Sequence, residues 1–187
     1  DVDAVNKRLA RIAQVKRFAI LDHDLTQERG ELTPHHLTRY LASVHFLVTH
    51  TPIHLTVARR EALARGDGAL AEHFAQKLGE EVGHDAWAER DFERMRSASA
   101  RAAGLEPCDA MRRMVDFVAA TIAEEPRYYL SYILFAEYLI VLLGSQWLAL
   151  LEERCGIPKS SMSVIGNHAE LDKEHTDEFF SPQVEHD

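Results

Sequence analysis

The sequence predicts an all-α protein, a single-domain bundle of six to seven helices over residues 1–187. Apolar residues recur at helical spacing along almost the whole chain, and alternating β-branched runs are absent. The composition is 46% hydrophobic and 27% charged with only 9 Gly and 6 Pro, which is typical of a folded globular protein. A chain of this length can bury roughly 70% of the surface that its unfolded form exposes, so its core can enclose a site.

Helix start and stop signals divide the chain into six segments. The stretch DHDLTQERGELTP ends the first helix, and the second opens at Pro34, a favoured first-turn residue. Pro52 is expected to kink or break this second helix, because an interior proline removes a backbone hydrogen bond and clashes with the preceding turn. Gly66 and Gly68 end it. The predicted helices cover about 2–22, 34 onward, 70–98, 109–123, 128–151 and 161–180, and residues 181–187 form a frayed tail.

The net charge of −9 limits the partners that the chain can bind. A negative surface repels phosphate backbones and anionic lipid heads, which argues against nucleic acid and membrane and favours a small-molecule partner. Cys108 and Cys155 lie outside any CxxC or disulfide-framework pattern, as free thiols in the cytoplasm would. The N-terminal segment lacks the apolar core of a signal peptide. We therefore expect a cytoplasmic protein, with a homodimer as the commonest assembly of such chains.

One segment is apolar enough to suggest a membrane span, namely residues 128–151 with the sequence YYLSYILFAEYLIVLLGSQWLALL. Glu137 interrupts it near the centre. A carboxylate at a bilayer midplane is costly, so a long core helix with one functional acid is the preferred interpretation. Because its neighbours leave Glu137 no obviously polar face, this carboxylate must pair with a cation, a hydrogen-bond network or a metal.

A candidate metal-ligand stripe lies in the last predicted helix. His168, Asp172 and His175 occur in the run NHAELDKEH at spacings of four and three, which place them on one face of a helix. Two imidazoles and a carboxylate suit a first-row metal such as iron or manganese. A solvated polar face is the alternative interpretation, because the neighbouring residues of this helix are also polar.

A second candidate pair is Glu81-x-x-His84 in the third predicted helix. This spacing places both side chains on one helix face, and Glu-x-x-His is a ligand pattern of carboxylate-bridged dimetal sites in helical bundles. Taken alone, the pair fits a solvent-facing charged helix better, because Glu and His are mostly surface residues. With Glu137, the two groups would give three carboxylates and three imidazoles, enough for two metals. Glu137 would be the bridge, and open positions would remain for O2.

These motifs resemble those of the heme-oxygenase-like diiron oxidases and oxygenases, whose fold is similar to that of heme oxygenase and thiaminase II. The resemblance spans about the last two-thirds of the chain. It implies a seven-helix bundle with two irons, O2 as co-substrate and oxidation, C–C cleavage or N-oxygenation of a small organic substrate, often in specialised biosynthesis. The implied metal ligands are Glu81, His84, Glu137, His168, Asp172 and His175, and Glu81 and Glu137 would be the catalytic carboxylates.

The chain departs from this family in one respect. Family members often have a further carboxylate on an early helix, and the corresponding stretch SVHFLVTHTPIH contains no acid. His50 or His45 could substitute, and Glu80 is a second-rank candidate beside Glu81.

Three other classes stay open from the sequence. A ferritin-like protein needs an acid before each of two Glu-x-x-His helices, and here the first is missing. A thiaminase II-like hydrolase needs an activated core cysteine, whereas Cys155 stands at a helix end. A non-catalytic helical binding protein would have the polar stripe at its surface.

Overall fold

The computed structural model describes residues 2–21, 34–98 and 106–180. All regular elements in these ranges are helical, so the predicted all-α class is confirmed. The helices are α1 (Val2–Leu21), α2 (Pro34–Ala64), α3 (Gly68–Glu81), α4 (His84–Ala98), α5 (Asp109–Glu124), α6 (Tyr128–Cys155) and α7 (Ser163–Phe180), with a short 3-10 turn at Lys159–Ser161 before α7. The predicted tail at 181–187 lies outside the described residues.

The chain forms two compact units. Unit 1 contains Asp1–Glu31 and Ile133–Asp187, and unit 2 contains Leu32–Tyr132. Helix α6 therefore begins in unit 2 and continues in unit 1.

Unit 2 is built around α2, which packs against α3, α4 and α5. Its core contains Leu55, Phe74 and Ile122, each at most 1% exposed. Burying side chains of this size stabilises a fold by about 1.5–3 kcal/mol each, so packing, rather than intrinsic propensity, holds these helices. On α5 the buried residues Val118 and Ile122 are one turn apart, while Phe117 points to solvent with 70% exposure.

Helix α2 is continuous through Pro52, so of the predicted kink or break at this residue the break is wrong. Pro52 cannot donate a backbone hydrogen bond, yet α2 spans 31 residues and is packed against three other helices. We infer that the packing outweighs a defect of ~3 kcal/mol in the helix interior. In the same helix the hydroxyls of Thr49 and Thr56 each donate a hydrogen bond to the backbone carbonyl oxygen one turn earlier, at 2.7 Å in both cases.

The predicted third helix is two helices, because the chain turns between α3 and α4. Val82 ends α3 with extended backbone, and Gly83 has φ of +90°, a conformation that L side chains rarely adopt. His84 then begins α4. The expectation of one helix over 70–98 is wrong, and Gly83 is the physical reason. Asp67 caps the other end of α3 by accepting a hydrogen bond from the Leu70 amide at 3.1 Å.

In unit 1, α6 and α7 pack closely at a glycine. A Cβ built on Gly144 would lie 2.8 Å from the Cβ of Ala169, and one on Gly166 would lie 3.7 Å from Leu148 Cδ1. The sequence numbers of the contacting residues rise along α6 as they fall along α7, so the two helices are antiparallel. The missing side chain at Gly144 thus permits the close approach of the helix that carries the predicted ligand stripe.

Helix α6 also has the dimensions of a membrane span. Within Tyr128–Arg154 an 18-residue window has a mean hydropathy of 1.8, and among the described helices α6 is the one that is long and apolar enough to cross a bilayer. A core helix of a soluble protein meets the same test, so this property alone decides little.

Candidate metal-ligating residues

Glu81 and His84 contact each other across the turn between α3 and α4. His84 Nδ1 lies 3.0 Å from Glu81 Oε2, and the two side chains are only 12% and 21% exposed. A carboxylate that accepts from Nδ1–H leaves Nε2 as the lone-pair nitrogen, which is the usual arrangement of a metal-ligating histidine. The predicted proximity of this pair is therefore present, but the turn at Gly83 produces it rather than a continuous helix face.

The indole of Trp87 lies flat on the His84 ring. The ring centroids are 4.3 Å apart and the planes differ by 20°. Trp87 is half-buried, one turn after His84 on α4. The i, i+3 spacing of Trp87 from His84 is the signal in the sequence that the two rings could meet.

Two tyrosines at the start of α6 lie within the electrostatic reach of Glu81. Tyr129 and Tyr132 stack with centroids 5.7 Å apart, and Tyr129 is 1% exposed. Burial raises the pKa of both phenols, that of Tyr132 to about 12, and the negative charge of Glu81 adds to the shift. Both phenols therefore stay protonated at neutral pH, and unit 2 presents Glu81 with uncharged aromatic neighbours.

In unit 1, His168 is oriented by its own helix. Its Nδ1 lies 2.7 Å from the Val164 carbonyl oxygen one turn earlier. Because a carbonyl only accepts, this nitrogen carries the proton and Nε2 is left as a lone-pair nitrogen. Asp172, one turn further along α7, is buried with 6% exposure. A buried carboxylate requires a polar or cationic partner, which argues against the solvated-face interpretation of this stripe. His175 lies within α7, but its side chain is outside the described residues.

Glu137 is half-buried rather than fully buried. It precedes Gly144 by seven residues, or two helical turns, so it is on the face of α6 that packs against α7. No contact of Glu137 with α7 follows from this spacing alone, so its pairing with Asp172 and His175 stays a prediction.

The second-rank candidates have other neighbours. His50 Nδ1 donates to the Phe46 carbonyl at 2.7 Å, and its ring centroid lies 6.1 Å from that of His54. His45 stacks on an aromatic ring of α4. Glu80 Oε2 pairs with the Lys77 ammonium at 3.1 Å, so Glu80 already has a cation within its own helix. Ligation by His45 or His50 stays a prediction.

The pKa of His54 lies well below the ordinary value of a histidine. The residue is 6% exposed, and burial, together with the nearby His50, lowers its pKa to about 4. The ring of His54 meets Tyr129 edge-on at 6.0 Å. It is therefore a neutral aromatic group at physiological pH, and nothing in its sequence context signalled this.

Comparison with family models, with curated proteins and with solved structures returns no significant match to this chain.

Proposed function

We propose that the protein is a non-heme dimetal oxidase or oxygenase that uses O2 to oxidise a small organic substrate, with specialised biosynthesis as the setting. The proposed ligands are Glu81, His84, Glu137, His168, Asp172 and His175, and the metal is iron, with manganese as the alternative. Glu81 and Glu137 are the proposed catalytic carboxylates. The proposal includes a cytoplasmic location and a homodimer.

The observation that carries the proposal is that two histidine rings, His84 and His168, are each held by a hydrogen-bond acceptor at Nδ1. His84 is held by a carboxylate at 3.0 Å and His168 by a backbone carbonyl at 2.7 Å, each through Nδ1. Such a partner fixes the tautomer and directs Nε2 to a metal. The carboxylate that holds His84 is Glu81 itself, so its second oxygen would be the metal ligand, and the buried Asp172 lies one turn from His168.

The donor set suits iron. Imidazole and carboxylate ligands bind Fe(II) and Mn(II), and the proposed ligand set contains no thiolate of the kind that structural zinc and Cu(I) sites use. When bound, a pair of ferrous ions would supply electrons to O2 and generate an oxidant able to abstract hydrogen from a C–H bond. The protein's own contribution is to hold the ligand rings in one tautomer and to keep the neutral phenols of Tyr129 and Tyr132 within the electrostatic reach of Glu81.

The test is oxygen uptake by iron-loaded protein. The protein is loaded anaerobically with Fe(II), desalted and mixed with buffer that contains O2, and the oxygen consumed per bound iron is recorded with an electrode. The proposal predicts prompt uptake that is lost in His84→Ala and kept in His73→Ala, which alters a histidine of α3 outside the ligand set. Bound iron without oxygen uptake would refute the oxidase proposal, and the iron would then have a storage or structural role.

A further inference from the structure

The stack of Trp87 on His84 places an oxidisable ring directly against a proposed metal ligand. The indole and imidazole centroids are 4.3 Å apart and the ring planes differ by 20°. Tryptophan and tyrosine are the amino acids that lose one electron most readily, and electron transfer between rings in van der Waals contact is fast. Trp87 is thus one ring away from any metal bound to His84 Nε2.

The stacked tyrosines near Glu81 are the natural competitors for this role. Tyr129 is 1% exposed, and the raised pKa of both phenols reflects burial that opposes loss of a proton. A tyrosine that gives up an electron must also release its phenolic proton. Trp87 is half-buried, so part of the residue is open to solvent while its ring stacks on His84. Of Trp87, Tyr129 and Tyr132, Trp87 is the one that combines a ring stacked on His84 with partial access for a soluble reductant.

We propose that Trp87 is an electron relay between the metal site and reductants in solution, which protects the site when O2 reacts without substrate. Trp87 gives one electron through the His84 ring to the oxidised site, and the resulting indole radical cation releases its N–H proton to water. A small one-electron reductant of the ascorbate class then returns one electron, and water returns the proton. In each cycle one electron passes from the reductant to the site for each oxidising equivalent, and the indole takes back the one proton that it released, so no proton is consumed at Trp87.

This inference rests on the proposed function, and it is tested with a conservative variant. Trp87→Phe keeps an aromatic ring against His84 but removes the oxidisable indole. The chain's only other tryptophan, Trp147, supplies the matched control Trp147→Phe. Iron bound per chain is measured first in all three proteins, and anaerobic Fe(II) binding is also followed by quenching of Trp87 emission in Trp147→Phe.

Each iron-loaded protein is then mixed with O2 in the absence of substrate and freeze-quenched for electron paramagnetic resonance, with ring-deuterated tryptophan to identify an indole radical. The relay predicts an indole radical in wild type and in Trp147→Phe, its loss in Trp87→Phe, and its suppression by ascorbate. Peptide mapping of aged samples should find oxidised tryptophan at position 87. If iron binds and oxygen is consumed but the radical is absent, or persists in Trp87→Phe, the relay is overturned and the proposed function stands. Failure of all three proteins to bind iron would overturn both.

Discussion

Replacing Gly144 by alanine tests the helix contact that positions the ligand stripe of α7. The new Cβ would lie 2.8 Å from the Cβ of Ala169. Carbon atoms in contact prefer about 3.5–4.0 Å, so α6 and α7 must separate locally by about 1 Å. Both methyl groups are fixed to helical backbone, and rotation of a side chain therefore cannot relieve the clash.

The magnitude follows from two opposing effects. Alanine gains about 0.5–1 kcal/mol over glycine inside a helix. Overpacking a tight contact costs about 1–3 kcal/mol. Gly166 provides the matched control in the same helix pair, because its added Cβ would meet Leu148 at an ordinary 3.7 Å. The free energy of unfolding of Gly144→Ala should therefore be about 1–3 kcal/mol lower than that of Gly166→Ala, since both variants share the gain in helix propensity.

The assay is urea unfolding of both variants and wild type, followed by circular dichroism at a fixed pH. The midpoint should fall for Gly144→Ala and should stay level or rise for Gly166→Ala, without a change in slope. If Gly144→Ala is as stable as Gly166→Ala, the close approach of α6 and α7 is not as described, and the placement of Glu137 beside α7 loses its support.

Three further changes test the site and its surroundings. Glu81→Gln should lower iron affinity at least tenfold, as loss of a charged ligand does, whereas Glu80→Gln should leave it near wild type; equal losses in isothermal titration would argue against Glu81 as the ligand. Because the pKa of His54 is lowered to about 4 from 6.5 in the unfolded chain, the unfolded state binds the proton more tightly, and stability falls as pH drops from 6.5 towards 4. Urea unfolding at pH 7 and pH 5 should show a loss on the order of 2 kcal/mol in wild type that is missing in His54→Gln, and parallel losses in both proteins would disprove this assignment. Gly83→Ala should destabilise the protein by about 1–2 kcal/mol in thermal unfolding, because φ is positive there, while Gly79→Ala, with ordinary helical backbone and open space around it, should not.

The helices could be predicted from the sequence because apolar periodicity and strong boundary residues agree. Pro34 opens α2, and the predicted start at residue 109 matches α5 (Asp109–Glu124). The turn at Gly83 was missed because the helical pattern continues on both sides of it and a single glycine is tolerated inside a helix. Pro52 gave the opposite error, because it suggested a helix end where α2 in fact continues. Tertiary packing decides whether a helix continues through a proline.

The site could be predicted only in part. Spacing alone predicted that Glu81 and His84 are neighbours, and their side chains do contact each other at 3.0 Å. The contact is formed across the turn between α3 and α4 rather than along one helix face. The stack of Trp87 on His84 and the burial of His54 depend on packing from other helices, which no local spacing encodes. The ligand roles of Glu137 and His168 stay predictions.

Metal content tests the central claim most directly. Wild type, His84→Ala, His168→Ala and the control His73→Ala are loaded anaerobically with Fe(II), desalted and analysed for iron per chain. The account predicts close to two irons per chain in wild type and the control, and a loss of at least one in each ligand variant. Iron near zero in wild type, or the same content in all four proteins, would contradict it.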